Sequence, residues 1–487
     1  MDDGPRTTDH GSERGSKARR VAVALLLTSH FSLLTSCSGP SELDSPDAGR
    51  SAAYVPGQPN FDLEARATLH DGAPGLDLLL SVPRASLVYT RQPGGFRARY
   101  RFEVAVEDEG GGGAARRLTF EDSLHVPDFE ATRSFRPVVR EERVPIGPGL
   151  YVVEATLVDE ESGKEEERRQ RVAVPVVAGG VPAMSRIGLE VKRPGEAFEP
   201  QVALVVPAGF DSLRASVEVY GAPEGAALRL QLDRLRADTT VARPPYWLPY
   251  GRGAIEYRGL DLDGPPEDTV QVTTRDLAGA AEAVTVEVNL PPLAPGVYRL
   301  RMGTRAALGA EPFATEERLF AVREPDFPRL TDVDDLIAPL AYVASERELE
   351  FIQAGATPAE RRRRFDAFWG SLFDDRNTAS DVLRRYYERV EEANLLFTTY
   401  KEGWKTDRGM AYVVLGPPEF VEETPLEETW HYAYGSGEAL SSLVFERASY
   451  LEARPRPAFE AWVLARTAAY EAVWRRAVRR WREGQAR

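Results

Sequence analysis

The stretch Gly403-Trp404-Lys405-Thr406-Asp407-Arg408-Gly409, followed by Met410-Ala-Tyr-Val-Val-Leu415 and Gly416-Pro417-Pro418-Glu419, decides how the rest of the chain is read. Gly403 and Gly409 give the backbone freedom at the two ends of a turn, and Thr406 and Asp407 can bond locally to backbone N–H groups. Tyr412 to Leu415 form a nearly continuous apolar run, which predicts a short strand covered on both faces. Pro417 and Pro418 cannot donate to a ladder and end that strand. Trp404 is too large to leave in water and is expected to plug a core.

Helix signals precede this turn. Ser345-Glu-Arg-Glu348 is a capping box whose helix closes at Gly355, and Thr357-Pro358-Ala-Glu360 is a second start with proline at the first helical position. Phe365, Phe368, Trp369 and Leu372 then recur at spacings of three and four. A third helix, from about Asp381 to Thr399, places Leu383, Tyr387, Val390, Asn394 and Phe397 on one face. Beyond the turn, Pro457–Glu483 reads as one long helix with an aromatic stripe that includes Trp462, Trp474 and Trp481. Residues 456–487 hold eight arginines and three glutamates, so this helix either docks by its stripe or lies on an anionic surface. Docking is the preferred reading, because arginine is common everywhere in the chain.

This order resembles the GWxTD-domain family of bacterial exported proteins over roughly residues 330–450. The resemblance is carried by Leu340-Ala-Tyr-Val343, Arg361–Trp369, Tyr386-Tyr-Glu-Arg-Val390, Asn394, Phe397, the Gly403–Gly409 turn, Leu415-Gly-Pro-Pro-Glu419 and Trp430-His-Tyr432 with Leu443-Val-Phe445. It implies an exported protein and assigns no reaction.

Upstream, short runs of period-two alternation broken by turn residues predict antiparallel sandwiches. Examples are Leu76–Val82, Phe96–Val106, Leu150–Val158, Gln201–Val206, Leu213–Tyr220, Leu228–Leu235 and Val284–Leu290. Ile146-Gly-Pro-Gly-Leu-Tyr151 recurs 147 residues later as Leu293-Ala-Pro-Gly-Val-Tyr298, a turn feeding a strand whose tyrosine packs at a sandwich corner. Gly110–Gly113 lacks the Gly-Lys-Ser/Thr of a phosphate loop and reads as a hairpin connection. Pro244-Pro-Tyr-Trp-Leu-Pro-Tyr250 reads as a loop packed on its own domain. The expected fold is therefore multidomain: two all-β immunoglobulin-like sandwiches (61–178 and 183–324), then an α+β domain (325–487).

The N-terminus sets the expected compartment. Residues 1–20 are polar and end in Lys17, Arg19 and Arg20; 21–34 are apolar but too short to span a bilayer. Leu34-Thr35-Ser36-Cys37 resembles a lipobox, and Cys37 is the only cysteine of the chain. The lipobox resemblance implies acylation of Cys37, which would become the first mature residue, and Ser38 after it implies the outer membrane. Residues 1–37 are then a lipoprotein signal peptide and 38–60, rich in Ser, Pro, Gly and Asp, a flexible linker. Beyond Cys37 the chain carries 56 basic and 72 acidic residues, a net −16, which argues against nucleic acid as a general partner.

Catalytic signals are sparse. Only His70, His125 and His431 follow Cys37, scattered along the chain, which argues against a transition-metal site; no cofactor is expected. No Gly-x-Ser-x-Gly elbow occurs. The best polar constellation is Glu388, Asn394, Lys405, Thr406, Asp407 and Arg408 around the Trp404 turn. The preferred expectation is a lipid-anchored envelope module that contacts an envelope protein or glycan. The alternative is an envelope glycan or peptide hydrolase using Glu388 and Asp407 as paired carboxylates. A hydrolase should face both acids into a cleft; a structural motif should bury Trp404 and tie Asp407 to backbone.

Overall fold

Two strands, Ala73–Pro83 and the strictly alternating Gly95–Asp108, supply much of the first core. In the second, Ala98, Tyr100, Phe102, Val104 and Val106 are buried while Arg99 and Glu103 between them are exposed. Their partners across the core include Leu76, Leu78, Leu80 and Val82 of the first. The computed structural model describes residues 49–51 and 58–486, except 71–72, 111–115, 177–182, 208, 248–258, 278–282, 306–311, 425, 433–440, 449–458 and 460. The expected signal segment, Cys37 and most of the expected linker lie outside the described residues.

The first β unit packs a three-stranded sheet (Asp62–His70, Ala73–Pro83, Pro137–Pro145) on a five-stranded one (Thr90–Gln92, Gly95–Asp108, Arg116–Val126, Gly149–Asp159, Glu165–Val174). The pairing of Gly95–Asp108 with Arg116–Val126 makes the glycine run a hairpin connection, of which 111–113 lie outside the described residues. A short helix, α1 (Phe129–Thr132), is capped by Asp128.

The second β unit packs two five-stranded sheets, one containing Ser212–Tyr220 and Ala283–Leu290, the other Ala227–Leu235, Gly296–Arg305 and Pro312–Arg323. The strand expected over 201–206 is broken into Phe198–Pro200 and Val205–Pro207. The Gln201 amide causes the break by donating to the Ala203 and Val205 carbonyls, each at 3.0 Å. The repeated turn behaves alike in both units. Tyr151 Oη donates to Gly147 O at 3.0 Å and Tyr298 Oη to Ala294 O at 2.7 Å, four residues upstream in each case.

The C-terminal module holds helices α2 (Val333–Ile337), α3 (Glu346–Gln353), α4 (Pro358–Ser371), α5 (Arg376–Phe397) and α6 (Asp407–Leu415). An antiparallel sheet (Phe420–Glu423, Glu427–Tyr432, Ser441–Arg447, Trp462–Leu464) follows, then α7 (Glu471–Arg482). Backbone Gly49–Ser51 pairs with the Phe420–Glu423 edge of that sheet. The caps are where the sequence places them: Ser345 and Glu348 form a reciprocal box, and Thr357 caps α4 with Pro358 at its start.

Two segments differ from expectation. Residues 410–415 are helix, not strand. The Thr406 hydroxyl accepts the Gly409 N–H at 3.0 Å and opens α6, and Gly416 at φ 89° ends it. Met410 through Val414 are all buried, so the continuous apolar run belongs to a helix enclosed on every side. Residues 457–483 are not one helix either. Trp462–Leu464 pairs with Ser441–Arg447, Thr467 caps a tight turn, and only Glu471–Arg482 is α-helical. This last helix is docked: Trp474 and Trp481 are buried, Trp481 Nε1 donates to Val414 O at 3.0 Å, and Arg482 pairs with Glu348 at 2.9 Å. That guanidinium holds the Glu348 carboxyl down at about 2.

The units are tied side by side. Arg318 donates to both oxygens of Glu64 at 2.9 and 3.0 Å, to Ile187 O and to Gln201 O, linking the two β units. Residues 237–247 strap the second unit to the C-terminal module: Val241, Ala242 and Tyr246 pack on the latter's core, and Ala242 N–H donates to Lys405 O at 3.0 Å. The proline-aromatic cluster thus packs on the neighbouring module instead of its own. Its Trp247 is half-exposed, and 248–250 lie outside the described residues.

Candidate functional site

The Trp404 turn is built by backbone crossing backbone. A Cβ on Gly403 would lie 1.8 Å from Ala393 O, and one on Gly409 would lie 1.8 Å from Gly403 O. Only glycine lets α5, the turn and the start of α6 approach so closely. Thr398 Oγ1 accepts the Gly403 N–H at 2.8 Å, and Asn394 Oδ1 accepts the Trp404 N–H at 3.2 Å while its Nδ2 donates to Pro328 O at 3.1 Å. Trp404 is 2% exposed, its carbonyl takes the Tyr342 hydroxyl at 2.7 Å, and the two rings meet edge to face. Tyr432 Oη donates to Gly416 O at 3.1 Å, beyond which Pro417 and the buried Pro418 lead into the sheet.

The charged residues of the turn are equally committed. Asp407 accepts the Leu464 N–H at 2.8 Å and two guanidinium bonds from Arg466 at 2.6 and 3.0 Å. Arg408 donates to Glu428 at 2.9 Å, sandwiched between the rings of Phe397 and Trp462, while Trp430 Nε1 donates to the other Glu428 oxygen at 3.1 Å. Lys405 pairs with Glu402 at 2.8 Å. Glu388 stands on α5 beside Glu391 and Glu392, and no hydrogen bond or ion pair among the described residues joins it to Asp407. Removing Arg408 would take an ion-pair partner from a carboxylate that is 2% exposed. Because Trp430 still donates to it, Arg408→Ala is expected to cost about 3 kcal/mol, at the low end for a broken buried pair. Adding Glu428→Gln should restore part of that loss in a urea melt.

Asn394 and Arg408 also reach the wall of a cavity of about 970 Å³ where the three units meet. Asn60, Asp62 and Ser81 line it from the first unit, Arg193, Gln201 and Phe210 from the second, and Phe327, Thr399 and Phe459 from the C-terminal module. Junctions of this kind are favoured places for ligand sites. Five arginines line the cavity. Arg136 is held by both oxygens of Glu196 at 2.8 Å, Arg193 by Glu199 at 3.0 Å, Arg329 by Glu130 at 2.8 Å and Arg408 by Glu428. Arg133 lies in the field of Glu391 and Glu392.

Asp62 is different. No donor among the described residues is within bonding distance of its carboxylate, and burial pushes the carboxyl up to about 6, against the partial opposition of Arg168. That arginine bonds Asn60 Oδ1 at 2.8 Å and Glu166 instead. Apart from Asn394 and Arg408, the sequence singles out none of these cavity residues, since they come from separate segments of all three units. Among the described residues no group of three or more His, Cys, Asp or Glu side chains is arranged to hold a metal.

Fold and turn together define the class: a β-rich protein of packed sheets ending in an α+β module built on a buried Gly-Trp turn. Residues 307–483 match the GWxTD domain, and the chain carries that domain. No curated protein matches the chain. Among solved structures, red sea bream transglutaminase is similar at 11% identity and a TM-score of 0.16, over 54% of this chain and 31% of that one. Escherichia coli alpha-2-macroglobulin activated by porcine elastase is similar at 14% identity and a TM-score of 0.15, over 57% and 23%. The chain therefore spans less than a third of the length of either.

Proposed function

We propose that the chain is an exported, lipid-anchored envelope protein that works by contact, with the two β units as a stiff arm carrying the GWxTD domain to an envelope protein or glycan. The observation that carries this reading is the fate of Asp407. An acid poised for hydrolysis needs a free carboxylate facing substrate. Asp407 instead has both oxygens bonded by Arg466 and a third contact from the Leu464 backbone. Thr406 and Asn394 spend their polar atoms on backbone groups, and Trp404 is buried. The Arg318–Glu64 and Tyr220–Ala67 bonds between the β units favour an arm without a loose joint.

Support for the anchor comes from Cys37 with its apolar approach and basic leader. No helix among the described residues is long and apolar enough to cross a membrane. Cells fed an alkyne-bearing fatty acid are expected to label the wild-type protein and leave Cys37→Ser unlabelled, with the variant moving from the membrane to the soluble fraction. Labelling that survives Cys37→Ser, or an unlabelled wild type, contradicts the anchor.

A further inference from the structure

The three-unit cavity combines neutral polar groups and aromatic faces that the fold leaves unserved. Ser81 and Asp62 are opposite each other on neighbouring strands, so their side chains leave the sheet on one face, and both line the cavity. Ser81 is 1% exposed, and its hydroxyl has no partner among the described residues. A buried hydroxyl without a partner is costly to keep, so it points to something that enters from the cavity. Asn60, also on the lining, commits Oδ1 to Arg168 and leaves Nδ2 without a partner among the described residues. Arg193 spends one N–H on Glu199 and Arg329 one on Glu130, so each planar fork is held in place with donors to spare. Phe135, Phe210 and Phe327 are half-buried on the same lining, and none meets another ring or a cation among the described residues.

We propose that this cavity binds a stretch of neutral oligosaccharide, with sugar faces stacked on Phe135 and Phe210 and hydroxyls bonded to Ser81, Asn60 and Arg193. A sugar ring meets both demands of the lining. Its hydroxyls donate and accept, and its C–H face suits the negative face of an aromatic ring. Five lining arginines disfavour a cation, and four of them are already paired with carboxylates, which disfavours an anion. An acyl chain would cover the rings but leave the Ser81 hydroxyl and the Asn60 amide unserved. An extended peptide docks chiefly through main-chain ladder bonds, whereas the open donors and acceptors named here are all on side chains. This assignment rests on the contact-module reading and selects glycan as the partner.

The test is calorimetric titration of the full-length protein with neutral pentasaccharides: cello-, xylo-, malto-, manno- and N-acetylchitopentaose. Deacetylated chitopentaose and pentagalacturonate serve as cationic and anionic counterparts. At least one neutral sugar is expected to bind at least tenfold more tightly than either charged one. Ser81→Ala should weaken that binding about tenfold with the melting temperature unchanged or raised, because only an unpartnered hydroxyl is lost. Phe135→Leu keeps the bulk but removes the ring face, and should weaken binding several-fold. Phe351→Leu, at a phenylalanine that is 61% exposed and not on the lining, should leave it unchanged. Failure of every neutral sugar to bind, tighter binding of a charged one, or binding that both lining variants leave intact overturns the site. Displacement of the bound sugar by an equimolar pool of acetylated hexapeptide amides overturns the oligosaccharide assignment in favour of polypeptide. Hydrolysis of a bound pentasaccharide would instead sink the non-catalytic reading and leave the cavity site standing, so the two failures are separable.

Discussion

Gly409→Ala is expected to unfold the C-terminal module at temperatures where the wild type is intact. The added Cβ would lie 1.8 Å from Gly403 O and 2.6 Å from its carbonyl carbon, so no side-chain rotation relieves it. Gly403→Ala meets the same fate against Ala393 O and the Asn394 backbone of α5. Overpacking a core ordinarily costs about 1–3 kcal/mol because neighbours can shift. Here the neighbour is main chain pinned by the Thr398, Asn394 and Thr406 bonds, and the expected loss exceeds about 4 kcal/mol. Gly370→Ala is the internal control. Gly370 is exposed within α4, and a Cβ added there would meet nothing within 4 Å. Alanine at that position should stabilise by about 0.5–1 kcal/mol. Chemical denaturation of the three variants gives both signs from one kind of change.

Ending the chain after residue 455 is expected to do more damage still. It removes Trp474 and Trp481 from the core, and truncating a single large aromatic costs about 3–5 kcal/mol. It also removes the Trp462–Leu464 edge strand, the Arg482 partner of Glu348 and the Arg466 partner of Asp407. Together these amount to on the order of 10 kcal/mol, comparable with the whole stability of a domain. The shortened protein should lose the cooperative transition and near-ultraviolet dichroism of the C-terminal module. A normal melt combined with loss of membrane or partner contact would mean that α7 is a surface-binding helix and that its burial is incidental.

Local rules carry the sequence reading wherever the chain obeys them. The Ser345 and Thr357 starts, the alternation of 96–106 and the Tyr151 and Tyr298 corners are each decided by neighbours within a few positions. Residues 410–415 mislead because an apolar run without period is shared by a buried strand and a fully enclosed helix, and because Thr406 suits a turn as well as the cap it forms. Trp462–Leu464 misleads because Trp462 reads as part of the same aromatic stripe as Trp474 and Trp481, although an edge strand claims it. Burial of Trp404 and the brace formed by Asn394 are legible from residue type. The cavity is not. Asp62, Arg133, Arg193 and Phe327 are far apart in sequence and acquire a common meaning only once three units pack together.

If the signature turn is a brace, the most direct measurement follows Asp407→Asn through folding and turnover in parallel. Asparagine keeps an acceptor for the Leu464 N–H but loses the charge held by Arg466, and the buried pair is expected to cost about 2 kcal/mol. The predicted result is a lowered melting temperature, with no multiple turnover of envelope glycan or peptide polymers by either protein. A variant that melts like the wild type yet abolishes a turnover the wild type displays would contradict it.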